Sequence, residues 1–144
     1  AFPDGAVRWS FPWTNDVRTN CAQPIVAGDT VLLSTGYGTG SVLLGVSQGD
    51  GGAWEVAERW RSRDLKSKFA TPVLHDGVVY GLDDGILAAL DPATGKRLWK
   101  RGRYGHGQLL LVGGLLVVQT GGRSSLWPRH PTATCRGRGG RARR

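Results

Sequence analysis

The chain has 144 residues, enough for one ordinary domain with a hydrophobic core. Forty per cent of the residues are hydrophobic, 23 are glycine and six are tryptophan, which is typical of a turn-rich globular β protein and not of a disordered chain. Because no apolar run reaches roughly 18 residues, we expect no membrane-spanning helix. Two cysteines, Cys21 and Cys135, do not indicate a disulfide framework.

The net charge of +8 is concentrated at one end of the chain. Residues 1–122 contain 12 Lys and Arg and all 11 Asp and Glu, a balance of +1. Residues 123–144 contain seven Arg and no acidic residue. The folded part therefore lacks the basic surplus that nucleic-acid binding requires, and we do not expect nucleic acid as a partner.

The first residues, AFPDGAVRWSFPW, include no Met, and the whole chain contains none. We expect an internal or N-terminally truncated piece, so the missing signal peptide says nothing about targeting. Gly5–Trp9 has the same glycine-to-tryptophan spacing as Gly95–Trp99 further along the chain. We predict that Gly5–Trp9 is the closing strand of a preceding structural unit.

Residues 69–104 contain four short apolar runs separated by three turn signals. Two of the turns, His75-Asp76-Gly77 and Asp83-Asp84-Gly85, carry the Asp-Gly pair that tolerates positive φ and favours tight hairpins. The third is Pro92-Ala93-Thr94-Gly95. The pattern predicts a four-stranded antiparallel meander with strands at Thr71–Leu74, Val78–Leu82, Ile86–Leu90 and Arg97–Arg101.

This pattern occurs in two further copies. Residues 23–47 match it at an offset of 48, and a third copy begins near Leu110 at an offset of 37. Tryptophans recur at Trp9, Trp60 and Trp99. Periods of roughly 40 to 50 residues with short strands inside are typical of propellers. We therefore predict an all-β chain in which residues 1–122 form a partial β-propeller of about two to three four-stranded antiparallel blades.

The repeat pattern stops after residue 122. Residues 123–144 show no alternation of apolar and polar residues, so we treat them as a separate basic, Arg/Gly-rich tail. The tail is either disordered or translated out of frame; we favour the second explanation, because GC-rich DNA in a shifted frame yields Arg, Gly, Pro and Ala. Its short Arg-Gly run is similar to RNA-binding segments but lacks their interleaved aromatic residues.

Residues 89–99, ALDPATGKRLW, fit the pattern A-x-D-x-x-T-G-x-x-x-W at all five specified positions: Ala89, Asp91, Thr94, Gly95 and Trp99. This stretch resembles the tryptophan-docking repeat of the PQQ-like (quinoprotein-type) β-propellers, which include quinoprotein alcohol dehydrogenases and outer-membrane assembly lipoproteins. The resemblance implies a propeller of seven or eight blades, most of which is missing from this chain. It also implies that the tryptophans hold successive blades together.

Each of the five signature residues also has a physical reason to be there. Asp91 and Thr94 can accept backbone N–H bonds across the turn, and Gly95 meets the backbone demand of that turn. Trp99 offers a large flat surface for the neighbouring blade, and the small Ala89 keeps the contact close. The other two copies lack the Thr-Gly pair.

A quinone-dependent dehydrogenase requires a Ca²⁺ site of carboxylates and amides, a catalytic aspartate and a stacking tryptophan. Residues of those types are Asp83, Asp84, Asn15, Asn20 and Trp54. Since Asp83-Asp84-Gly85 is first of all a hairpin turn, we assign no catalytic, cofactor-binding or metal residue. PQQ is implied only by the name of the family that the chain resembles.

The resemblance favours a non-catalytic scaffold that binds a protein or a small ligand in the bacterial periplasm or cell envelope. The alternative is a fragment of a PQQ-dependent quinoprotein alcohol/glucose dehydrogenase-like oxidoreductase. The sequence leaves open whether the protein is an enzyme. A basic loop is the first candidate for contact with an acidic or phosphorylated partner, through Arg59, Arg61, Arg63, Lys66 and Lys68.

Overall fold

The structure, a computed structural model, describes residues 4–121 and 124–127. These residues contain eleven strands and no helix, and hence no helix that could cross a membrane. The strands are β1 (Ile25–Ala27), β2 (Thr30–Thr35), β3 (Gly40–Gln48), β4 (Trp54–Ser62), β5 (Val73–His75), β6 (Val78–Asp83), β7 (Ile86–Leu90), β8 (Arg97–Arg103), β9 (Gln108–Val112), β10 (Leu115–Gln119) and β11 (Ser124–Trp127).

The strands form three antiparallel sheets in chain order. The first blade is β1-β2-β3-β4, the second blade is β5-β6-β7-β8, and the third sheet is β9-β10-β11. Each strand pairs with its sequence neighbour, which is the meander topology that short turns produce. The predicted all-β fold with partial propeller blades is confirmed.

The second blade follows the predicted strands within two residues at every boundary. Its two Asp-Gly turns have positive φ at both central residues: 47° and 73° at Asp76-Gly77, and 48° and 83° at Asp84-Gly85. This is the type I′ geometry, whose twist matches that of the flanking strands. The Asp-Gly signal in the sequence therefore predicted both the positions and the backbone conformation of these hairpins.

Two expectations about the ends of the chain require correction. Gly5–Trp9 was predicted to be a strand but has no regular structure, because no described strand lies beside it to complete a ladder. Conversely, Ser124–Trp127 lies in the segment predicted to lack regular structure, yet its backbone pairs with β10. The open edge of β10 provides the hydrogen-bonding groups for that pairing. The rest of the basic tail lies outside the described residues.

Consecutive sheets pack face to face through two hydrophobic clusters. The cluster between the first and second blades contains Leu32, Leu43, Leu65, Val79, Ala88 and Leu90. The cluster between the second blade and the third sheet contains Ala70, Tyr80, Leu82, Leu87, Ala89, Leu109, Leu116 and Val118. Alternate residues of β6 and β7 enter opposite clusters, so the second blade is buried on both faces.

Because the strands are antiparallel, the connections between them lie alternately at the two ends of the strands. The β2–β3 and β4–β5 connections lie at one end, together with the segment that leads into β1. We call this end of the blades the loop face; it comprises residues 13–24, 36–39, 63–72, 84–85 and 104–107. The opposite end, the turn face, comprises residues 28–29, 49–53, 76–77, 91–96 and 113–114.

Candidate functional site

The turn between β7 and β8 is built by the predicted signature residues. The Asp91 carboxylate accepts hydrogen bonds from the Thr94 hydroxyl at 2.6 Å and from the Ala93 backbone N–H at 2.9 Å. These two bonds, the Thr94 bond first, lower the pKa of Asp91. The Gly95 N–H donates to the Asp91 carbonyl at 2.8 Å and closes the turn. Asp91 accepts a backbone bond across the turn, as its position in the sequence predicted.

Trp60 of the first blade docks onto this turn of the second blade. Its indole Nε1 donates to the Pro92 carbonyl at 2.8 Å. The ring lies so close over Gly95 that a Cβ there would stand 2.6 Å from Trp60 Cε3. Gly95 also has a φ of 70°, so glycine is required both by the backbone and by the tryptophan above it.

Trp99 belongs to a different interface. It pairs with Ala89 across β7 and β8, is half-buried, and packs against the cluster shared with the third sheet. Its ring centroid lies 6.1 Å from that of Tyr80. The signature residues of one repeat therefore serve two junctions: the turn receives Trp60 from the preceding blade, and Trp99 points toward the following sheet.

The sequence pattern alone did not reveal that Trp60 is the partner of this turn. Trp60 appeared to belong to a degenerate repeat, because Thr-Gly does not precede it. In the structure, Trp60 docks on the turn of the next repeat. This contact therefore does not depend on a Thr-Gly pair before Trp60. The recurrence of Trp60 and Trp99, and the role that the resemblance implies for such tryptophans, indicated a contact between blades but not which turn receives Trp60.

A buried ionic cluster lies at the same junction, near the loop face. Asp83 is fully buried and accepts a bond from the Lys66 backbone N–H at 3.0 Å. Lys66 Nζ lies 2.6 Å from its carboxylate, and Lys100 Nζ also donates to it. Arg97 lies 3.4 Å from Asp83 and bridges to Asp64 at 2.6 Å. The cluster joins the β4–β5 loop to β6 and β8.

The protonation of Asp83 is governed by opposing effects. Burial raises the pKa of the carboxyl group, but hydrogen bonds from Lys100 and Lys66 and the charges of those cations outweigh burial, so the pKa is lowered overall. A carboxylate surrounded by three cations is a poor ligand for Ca²⁺, because its charge is already compensated. The described part of the chain contains no group of three His, Cys, Asp or Glu placed to hold a metal ion.

The predicted basic loop does not form a free positive patch, because four of its five cations have partners. Arg59 pairs with Asp29, Arg61 with Glu58 and Lys66 with Asp83, and Lys68 lies 4.3 Å from the centre of the Tyr37 ring. Arg63 is exposed and forms no ion pair within the described ranges. Of the predicted contact surface, the guanidinium of Arg63 is therefore the one cation for which the described residues provide no partner.

Arg63 lines an open groove of about 430 Å³ on the loop face. The groove lies between the β2–β3 turn and the end of β4, and it is lined by Asp16, Tyr37, Gly38, Thr39, Arg61, Ser62 and Arg63. Tyr37 stands at a φ of 57° with a glycine on each side, a strained conformation for an aromatic residue. The lining is mainly polar, which suits a polar ligand or a peptide.

Comparisons with known proteins agree with this geometry. A model of the family described as outer membrane protein assembly factor BamB, made of PQQ-like repeats, matches residues 2–108. The chain belongs to this family. It is 30% identical over 133 residues to the outer membrane protein assembly factor BamB of Moranella endobia, covering 80% of this chain and 31% of that protein.

A second relative is the serine/threonine-protein kinase AfsK of Streptomyces griseus. It is 35% identical over 88 residues, which are 56% of this chain and 10% of the kinase. The chain thus spans less than a third of the length of either relative. The two names share no activity, so the likeness indicates a common repeat module and not a common reaction.

Substituting Gly95 by Ala tests the tryptophan dock, with Gly77→Ala as the matched control. Both glycines have φ near 70°, but a Cβ at Gly77 meets nothing within 4 Å. We expect Gly77→Ala to cost roughly 1 kcal/mol of unfolding free energy for the left-handed backbone. Gly95→Ala should cost roughly 1–3 kcal/mol more, because Trp60 must move. Urea denaturation measures both, and equal costs would contradict the dock.

The ionic cluster predicts a specific pH dependence. Because the pKa of Asp83 is lower in the folded state than in the unfolded state, its ionised carboxylate stabilises the folded chain. This contribution to the free energy of unfolding is complete above the unfolded pKa of about 3.8 and disappears as the pH falls through the folded value. At neutral pH, Asp83→Asn should reduce the free energy of unfolding by roughly 2–3 kcal/mol, because it leaves the cations without a counter-charge.

Asp84→Asn is the control for this substitution, because Asp84 is exposed in the adjacent turn position. It should change the free energy of unfolding by no more than roughly 0.5 kcal/mol. Thermal melts from neutral pH to about pH 2 should show that the melting temperature of Asp83→Asn falls less steeply with decreasing pH than that of the native chain, whereas that of Asp84→Asn falls as in the native chain. The same fall in Asp83→Asn as in the native chain would show that the cluster does not couple protonation to folding.

Proposed function

We propose that the chain is part of a non-catalytic β-propeller scaffold that binds a protein on its loop face, in a bacterial periplasm or cell envelope. The observation that carries this proposal is the rigid junction between blades. Trp60 on the Pro92–Gly95 turn fastens the first blade to the second, and the Asp83 cluster fastens the β4–β5 loop to the second blade. The loops between them are thereby held in a fixed arrangement, as a binding surface requires.

The family supports a binding role. One relative is named as a factor in outer membrane protein assembly, a role exercised on other proteins in the cell envelope. The other is a kinase of which the matched stretch covers only a tenth. A module shared by an assembly factor and a kinase is more simply a recognition unit than a catalytic one.

The loop face supports it as well. Asn15 organises the segment before β1, since its side chain accepts bonds from the Val17 and Thr19 backbones and donates to the Thr35 hydroxyl at 2.7 Å. Val17, on the same segment, leaves half of its surface exposed. A loop with a fixed backbone and an exposed apolar side chain can contact a protein partner with little loss of conformational entropy.

Site-specific photo-crosslinking tests the proposal. A crosslinking side chain is introduced at the exposed Val17 on the loop face and, as a control, at the exposed Asp50 on the turn face. After exposure to envelope proteins of a bacterium that makes this protein, we expect position 17 to form discrete protein adducts and position 50 to form none. Adducts at neither position, or the same adducts at both, would contradict a specific loop-face partner.

The same protein distinguishes the scaffold from the oxidoreductase alternative. Addition of PQQ with Ca²⁺ should leave the melting temperature unchanged if the chain is a scaffold without a quinone site. Ligand-induced stabilisation follows from binding to the folded state alone, so a raised melting temperature would indicate a site. A raised melting temperature, together with oxidation of alcohols coupled to reduction of a dye, would contradict the scaffold and support a quinoprotein oxidoreductase.

A further inference from the structure

The groove on the loop face is lined by two charged side chains, Asp16 and Arg63, that form no ion pair with any other described residue. Asp16 lies on the segment before β1, and Arg63 follows β4. Both are exposed, and neither forms an ion pair in the described part of the chain, with each other or with a third residue. The groove therefore presents one negative and one positive group, separated by more than ion-pair distance.

Two further cations near the groove already have contacts within the chain. Arg61 is held 2.7 Å from Glu58, and its guanidinium lies 5.1 Å from the centre of the Trp13 ring. Lys68 lies against the Tyr37 ring. Among the residues that line the groove, Asp16 and Arg63 are the two charged side chains without an ion pair in the described ranges.

The walls of the groove are preformed. A Cβ at Gly40 would stand 2.2 Å from the Ser62 carbonyl oxygen, and a Cβ at Gly36 would stand 2.8 Å from Lys68. The β2–β3 turn is therefore pressed against the β4–β5 connection on both sides of Tyr37. Glycine is needed at both positions to allow this approach, which keeps the turn and the end of β4 in a fixed relation.

The backbone at Tyr37 is set by a type I′ turn between β2 and β3, in which Tyr37 and Gly38 have φ of 57° and 82° and the Thr39 N–H bonds to the Gly36 carbonyl. Tyr37 has a positive φ, which costs free energy for any side chain with a Cβ, and the ring contacts Lys68 at the surface and not in the core. Type I′ turns favour Asn, Asp or Gly at this position, so the turn itself does not require a tyrosine. Tyr37 and the Thr39 and Ser62 hydroxyls supply hydrogen-bonding groups between the two charges.

We propose that this groove binds a ligand that carries a carboxylate and an ammonium group, with Arg63 facing the carboxylate and Asp16 facing the ammonium. A volume of about 430 Å³ is in the range of small-molecule sites and accommodates a short peptide. The ligand is either a free dipeptide or a protein segment with an acidic and a basic side chain. The proposal rests on the loop face being the binding face, and it names the chemistry recognised there.

The test uses Ala-Ala with free termini as the probe, titrated into the complete chain and followed by NMR chemical shifts. N-acetyl-Ala-Ala lacks the ammonium and Ala-Ala-amide lacks the carboxylate, so each should bind at least tenfold more weakly. Arg63→Gln should weaken Ala-Ala binding at least tenfold and leave Ala-Ala-amide binding unchanged. Asp16→Asn should weaken Ala-Ala and leave N-acetyl-Ala-Ala unchanged.

Arg101→Gln is the matched control, because Arg101 is an exposed arginine of β8 outside the groove. The affinity of this variant for Ala-Ala should equal that of the native chain.

A capped peptide, acetyl-Val-Glu-Val-Lys-Val-amide, carries both charges on side chains. Binding of this peptide but not of Ala-Ala, with the same dependence on Arg63 and Asp16, would support the proposal with a protein segment as the source.

Three results would overturn the proposal. The first is that neither Ala-Ala nor the capped peptide binds. The second is that the acetylated and amidated forms bind as well as Ala-Ala. The third is that Arg101→Gln weakens binding as much as Arg63→Gln. These results are independent of the photo-crosslinking test. A protein adduct at position 17 without dipeptide or capped-peptide binding would support the loop-face scaffold and contradict the proposed ligand of the groove.

Discussion

The contact of Trp60 with the next blade is the interaction on which this arrangement depends. A sheet with two apolar faces can slide against its neighbour, because hydrophobic contacts carry little directionality. The indole of Trp60 adds a directed bond to the Pro92 carbonyl, and its ring fits over a residue that has no side chain. That combination favours one arrangement of the first blade against the second, and it thereby holds the β4–β5 loop between them in place.

Most of the second blade could be predicted from the sequence. Asp-Gly pairs impose a backbone conformation that few other residues tolerate, so both hairpins and their flanking strands were located within two residues. The ends of the chain could not be predicted in this way. Gly5–Trp9 has strand-like composition without a partner strand, and Ser124–Trp127 pairs with β10 despite its weak pattern. Pairing depends on the neighbour as well as on the segment's own residues.

The site was harder to predict than the fold. The turn residues Asp91 and Gly95 could be identified because their roles are local. The partner of that turn, Trp60, lies about 30 residues earlier in the preceding repeat, and no local pattern connects them. The basic loop was interpreted as a contact surface, but three of its five cations form ion pairs, two of them with acids distant in the sequence. Only the folded chain shows which charged residues of the groove lack an ion pair among the described residues, and these are Asp16 and Arg63.

A double-mutant cycle on Trp60→Ala and Gly95→Ala tests the central claim most directly. If the ring of Trp60 is what excludes a side chain at Gly95, removing the ring should make Gly95→Ala tolerable. The free energies of unfolding should then be non-additive, and Gly95→Ala in the Trp60→Ala background should cost only the backbone term of roughly 1 kcal/mol. Additive losses, with the cost of Gly95→Ala unchanged when the ring is absent, would contradict the claim that this contact joins the blades.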